Sequence, residues 1–194
     1  MSLVKRREAR LMLTNYLELL ESMVQPHDGY VYRNAADFLL RHAVWYEPSR
    51  YPADVGQGMP KHCYGNAILL AATRSWKYVE GYALAPILQQ GAFPVHHAWN
   101  VDQQGQLVDS TWRNNGLAYY GVEFSVERAE EATWDGDGSV LDDWLRGFPL
   151  FKEPWTGERD WPASPRLALL RAGKFEEYAA LLTTDLEKGG NGKT

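Results

Sequence analysis

The sequence predicts an α+β domain. Amphipathic helices come first, a run of Val-, Tyr-, Phe- and Trp-rich segments reads as an antiparallel sheet, and helical spacing returns near the end. Residues 4–24 place Leu11, Leu13, Tyr16, Leu17, Leu20 and Met23 at helical spacing, and Gln25-Pro26-His27-Asp28-Gly29 ends that helix. A second helix is predicted over 34–45, with Ala35, Phe38, Leu39, His42 and Ala43 near one face. Pro48, Pro52, Gly56, Gly58 and Pro60 make residues 47–60 a surface loop. That loop delivers the chain to a helix opening at Cys63, apolar through Ala72. Strands are predicted over 77–85, 92–102, 106–112 and 118–125, with Gln103-Gln104-Gly105 as the hairpin turn between the middle two. Helices follow at 126–133, 140–146 and 165–186.

At 194 residues and 22.1 kDa the chain suits a single domain, 1–188, with Gly189 to Thr194 as a frayed tail. Cys63 is the only cysteine, so no intramolecular disulfide can form, and a free thiol fits the reducing cytoplasm. The charged first ten residues lack the apolar centre of a signal peptide, and no stretch reaches the roughly 18 apolar residues of a membrane span. A net charge of -5 and a pI near 5.5 argue against a nucleic-acid partner. Lys5, Arg6, Arg7 and Arg10 form one basic cluster, read as the solvated side of a helix.

Three residues carry chemistry in combination. A thiol nucleophile needs a base to ionise it and a third group to orient the base, and Cys63, His97 and Asp109 follow in that order. Strand alternation separates His97, Trp99 and Val101 from His96, Ala98 and Asn100, which places His97 on the apolar face. Leu107, Asp109 and Thr111 share a face of the next strand, so a hairpin in the right register sets Asp109 beside His97. At a helix start Cys63 feels the positive end of the dipole, and cysteine pKa values in such settings fall to about 3.5–7.5. Its backbone N–H can help bind an oxyanion, with the Gln57 side chain as a candidate second donor.

These residues resemble the transglutaminase-like branch of the papain-like cysteine enzymes. His97-Ala98-Trp99 is similar to that family's histidine motif, and Asp109-Ser110-Thr111 to its Asp-Pro-Thr motif with serine for proline. Cys63-Tyr64 falls where its Cys-Trp or Cys-Tyr stands. The resemblance spans residues 61–124 and implies a catalytic-Cys helix packed on an antiparallel sheet, with Cys63 as nucleophile, His97 as general base and acid, and Asp109 as the orienting acid. With Gln57, Tyr64 and Trp99 are the candidate oxyanion- or substrate-binding residues. The shared reaction is attack on an amide carbonyl to give a thioester, which water resolves in a hydrolase and an amine in a transferase, with no cofactor. The acyl donor would be a peptide, a protein or a small amide, and the acceptor water or an amine. A non-catalytic peptide- or protein-binding module on the same fold is the alternative.

Plainer readings stand beside these. Trp99, Trp112, Tyr119 and Tyr120 are expected in the core, although as apolar walls they would exclude water. His96 is read as a surface residue and His62 as a loop residue, while His27 and His42 carry no assigned chemistry. A metal site gathering Cys63, His62, His97 and Asp109 lacks the paired spacing that anchors such sites. Asp135-Gly136-Asp137-Gly138-Ser139 departs from a calcium loop at Val140 and Arg146, and Gly192-Lys193-Thr194 lacks the first glycine and following helix of a phosphate loop.

Overall fold

The computed structural model describes residues 3–87, 91–134, 139–157 and 161–181. The predicted tail and most of the 135–139 acidic turn lie outside them. Helices α1 (Leu3–Ser22) and α2 (Ala35–His42) come first, then strand β1 (Val44–Tyr46) and helix α3 (Cys63–Arg74). Strands β2 (Lys77–Ile87), β3 (Gly91–Val101), β4 (Leu107–Val108) and β5 (Tyr119–Phe124) follow, and α4 (Val126–Trp134) and α5 (Pro165–Arg171) come after them. The strands make one antiparallel sheet in the order β1-β5-β2-β3-β4, so the α+β class holds.

Local chemistry accounts for several boundaries. Asn34 caps α2 by accepting the Asp37 N–H at 2.9 Å, and Ser164 caps α5 by accepting that of Leu167 at 3.0 Å. Asp102 accepts the N–H groups of Gln104 and Gln106, which closes the turn with Gly105 at φ 77°. Gly173, at φ 71°, ends α5, so the helix predicted over 165–186 is interrupted there.

Three expectations are corrected. The helix predicted to reach residue 45 stops at His42, because Val44, Trp45 and Tyr46 pair with Gly121, Tyr120 and Tyr119 as a strand. The strand predicted over 106–112 is only Leu107–Val108, because Asp109 turns its carboxylate back onto the N–H groups of Thr111 and Trp112. No helix forms over 140–146: the N–H groups of Val140 and Leu141 donate to the Glu80 carboxylate, which holds that segment as turns.

The sheet buries both faces. Helices α1 to α5 pack on one, where Phe38, Leu39, Ile68, Tyr78, Phe124, Leu141 and Leu167 form the larger core. Val79, Ala83, Trp99, Val101, Leu107 and Tyr119 form the core of the other, covered by Tyr46 and Trp112. Asn100 anchors α3 to the sheet through a 2.9 Å bond to the Ala67 carbonyl. Among the described residues no helix is long and apolar enough to cross a membrane. In the basic cluster, Arg6 and Arg10 pair with Glu47, and Arg10 also lies 4.9 Å over the Trp45 ring.

Gly81 and Gly121 face each other where β2 meets β5. A Cβ on Gly81 would strike the Tyr120 carbonyl and lie 2.5 Å from the Gly121 Cα, both backbone atoms that cannot swing aside. Gly81→Ala is therefore expected to lower stability by about 1–3 kcal/mol, read as a lower urea midpoint. An unchanged midpoint would show that the sheet spreads there without cost.

Candidate active site

Cys63 is the first residue of α3 and its half-buried thiol is free. No side chain caps the helix from His62, which leaves the first backbone N–H groups of α3 available to a developing negative charge. Asn66, one turn into the helix, ties three segments together. Its amide accepts from Met59 N at 3.0 Å and donates to Met59 O at 2.8 Å and to Thr111 Oγ1 at 2.9 Å. Gly58 N adds a 2.9 Å bond to Ser110 O. The loop before the thiol and the turn that carries Asp109 thus share one set of fasteners.

His97 and Asp109 meet across the β3–β4 hairpin, with Asp109 just past the end of β4. The ladder pairs Val101 with Leu107 and Asn100 with Val108, then β4 ends. His97 Nε2 lies 3.0 Å from Asp109 Oδ2, with the two residues 2% and 0% exposed. Four donors converge on the carboxylate: Thr111 N and Trp112 N on Oδ1 at 3.0 Å each, and Tyr119 Oη at 2.8 Å with His97 on Oδ2. The Trp112 ring stacks on the imidazole, with centroids 3.9 Å apart and planes 12° apart.

Electrostatics bind the thiol to this pair. Burial pushes the His97 pKa down, but hydrogen bonds and charge from Asp109 and Cys63 outweigh it and raise the value from 6.5 to about 9. With Nε2 on the carboxylate, Nδ1 is the nitrogen left for the thiol.

The other candidates fall in different places. Gln57 is exposed and, with Met59, His62 and Asn66, lines a mostly apolar cavity of about 720 Å³ on the outer side of α3. Tyr64 is half-buried; burial and the charges of Glu80 and Cys63 push its pKa up, against a hydrogen bond to Ser139. Trp99 is 1% exposed and packs edge-on against Tyr46 and Tyr119, so it stands behind the site as core. Tyr119 is core too, while Trp112 and Tyr120 are half-buried. Among the described residues no group of three or more His, Cys, Asp or Glu side chains is arranged to hold a metal ion. Compared with family models, curated proteins and solved structures, the chain matches none.

Sequence reasoning missed two partners of Asp109. Asn114 accepts the Asp109 N–H at 2.6 Å and donates to Ser49 O and Leu107 O at 3.1 Å each. It does so from a left-handed backbone, φ 59°, and the signal that could have found it is the turn-forming composition of Asn114-Asn115-Gly116. Tyr119 reaches Asp109 because Gly116 leaves room: a Cβ there would collide with the Tyr119 ring. His96, expected at the surface, is instead half-buried, with Nε2 3.2 Å from the fully buried Glu80 carboxylate.

Proposed function

We propose that the protein is a cysteine-dependent enzyme of the transglutaminase-like, papain-like class, performing acyl transfer or amide hydrolysis through a thioester. The observation that carries this reading is the buried His97 imidazole bonded to a buried, four-fold hydrogen-bonded Asp109, with the charge of Cys63 among the causes that raise its pKa. A buried imidazole with a raised pKa has reason to stay protonated only beside stable negative charge, and Cys63 and Asp109 supply it.

The steps follow from this pairing. Cys63 Sγ attacks the carbonyl carbon of an amide, and the oxyanion faces the N–H groups opening α3. His97 Nδ1–H protonates the departing amine as the C–N bond breaks, leaving a thioester on Cys63. Water or an amine then adds to the thioester, His97 takes its proton, and the thiolate leaves. The acyl donor fits the class of peptide, protein or small amide, and a free thiol nucleophile suits a reducing compartment such as the cytoplasm.

Iodoacetamide tests the ion pair directly. At pH 7 alkylation of Cys63 is expected to be markedly slower in His97→Ala than in the wild type. Equal alkylation rates in the two proteins would sink the proposal. Incubation with peptide and amine libraries, followed by mass spectrometry, is expected to trap an acyl adduct on Cys63 that Cys63→Ala does not form.

A further inference from the structure

The cavity on the outer side of α3 lies apart from the triad: Cys63, His97 and Asp109 are all absent from its lining. It is bounded by the loop before the thiol, by α3, α4 and α5, and by the helical residues 175–181. Its volume of about 720 Å³ falls within the range of small-molecule sites, about 300–1,000 Å³. Ile68 and Leu170 on its wall are buried, whereas Met59, Leu69 and Phe175 are large apolar side chains left exposed there.

The polar groups on the wall are few and mostly engaged. Among the described residues no lysine or arginine lines the cavity, and its one carboxylate, Glu130, is 2% exposed and accepts from Ser164 Oγ at 2.8 Å and Arg166 Nε at 2.7 Å. The Asn66 amide is taken up by Met59 and Thr111. An ionised head group would meet only the His62 imidazole and the Gln57 amide, both exposed, in return for leaving water. One buried polar atom is open. The hydroxyl of Thr133 is closed off from solvent and has no hydrogen-bond partner among the described residues.

Gly65 gives a second sign. It lies early in α3, where alanine would favour the helix more, and its φ is outside the left-handed region. A Cβ there would meet no atom within 4 Å, so no neighbour in the chain requires a glycine. The missing side chain leaves the α3 backbone bare on the cavity wall, an arrangement that permits close approach of a ligand.

We propose that this cavity binds an uncharged single-chain amphiphile of the aliphatic alcohol class. Its chain lies along Ile68, Leu69 and Phe175 beside the bare backbone at Gly65, and its hydroxyl bonds to Thr133 Oγ1. Covering the exposed apolar side chains supplies the affinity, and partnering a buried hydroxyl removes the penalty of leaving it unmade. The site stands independently of the chemistry at Cys63.

The test uses the full chain with N-phenyl-1-naphthylamine, an uncharged probe that fluoresces in apolar surroundings. Saturable binding is expected, with displacement by dodecan-1-ol and about tenfold weaker displacement by dodecanoate and by dodecyltrimethylammonium. Gly65→Leu fills the open space and is expected to weaken the probe about tenfold, while the urea midpoint holds or rises because leucine favours a helix. Leu69→Glu, at a position 40% exposed, sets a charge on the wall and is expected to weaken the probe to a similar degree, about tenfold. Thr133→Val removes only the hydroxyl, so dodecan-1-ol is expected to bind about fivefold more weakly, the worth of one neutral hydrogen bond. If Gly65→Leu fails to fold, Leu69→Glu decides. No saturable signal in the wild type, equal displacement by the three chains, unaltered probe affinity in the folded wall variants, or unaltered dodecan-1-ol affinity in Thr133→Val overturns the site and leaves the triad reading standing.

Discussion

Asp109→Asn is expected to slow thioester formation by about 10⁴-fold although Cys63 and His97 remain in place. The carboxylate accepts from Thr111 N, Trp112 N, Tyr119 Oη and His97 Nε2, so an amide at that position turns at least one N–H against a donor. The imidazole then loses the charge that offsets its burial, and the pKa held at about 9 moves down, toward what desolvation alone dictates. The sign for stability follows from the same shift. A pKa raised from 6.5 to about 9 means that the folded state binds the extra proton, so the His97 contribution is complete below pH 6.5 and is lost as pH rises to about 9. Stopped-flow detection of p-nitrophenolate from p-nitrophenyl acetate measures the first effect, and urea midpoints across that pH window measure the second. A rate loss of less than about tenfold would mean that Asp109 only fills space, since a base oriented by its carboxylate is worth far more.

Glu80→Gln is expected to cost about 3–5 kcal/mol of stability, because it breaks a buried, fully partnered charge. Tyr78 Oη, Val140 N, Leu141 N and His96 all approach this carboxylate, and an amide answers only part of that set. The segment from Ser139 onward would lose the bonds that hold it as turns. Glu80 has a depressed folded pKa, so its contribution is present above the ordinary carboxylate range and is lost as pH falls through the depressed value. The gap between wild type and Glu80→Gln in urea midpoint is thus expected to be widest near neutrality and to close in acid. A gap independent of pH would assign the loss to packing rather than charge.

Much of this was legible in residue order. Alternation along β3 separated His97 from His96, and turn chemistry at Asp102 to Gly105 placed the hairpin. Those two local facts bring the end of β4 beside β3, but Asp109 lies past the strand, and the turn onto Thr111 and Trp112 decides where its carboxylate points. Helix spacing was equally readable where one face packs, as for Leu13 and Leu17 in α1 and Phe38 and Leu39 in α2. The failures share one cause. Val44 to Tyr46 reads as the end of a helix until Tyr119 and Tyr120 are beside it, and residues 140–146 read as helix until Glu80 takes their N–H groups.

The sequence by itself determined the α+β class, the helix that opens at Cys63, and the hairpin that carries His97 and Asp109, because each depends on backbone geometry among near neighbours. Only the tertiary structure decided that Asn114 and Tyr119 complete the bonding of Asp109, that Trp112 covers the imidazole, and that Glu80 sits beneath His96. A buried polar group must find partners wherever the folded chain supplies them. Those partners are chosen by proximity in space, for which order along the chain carries no signal.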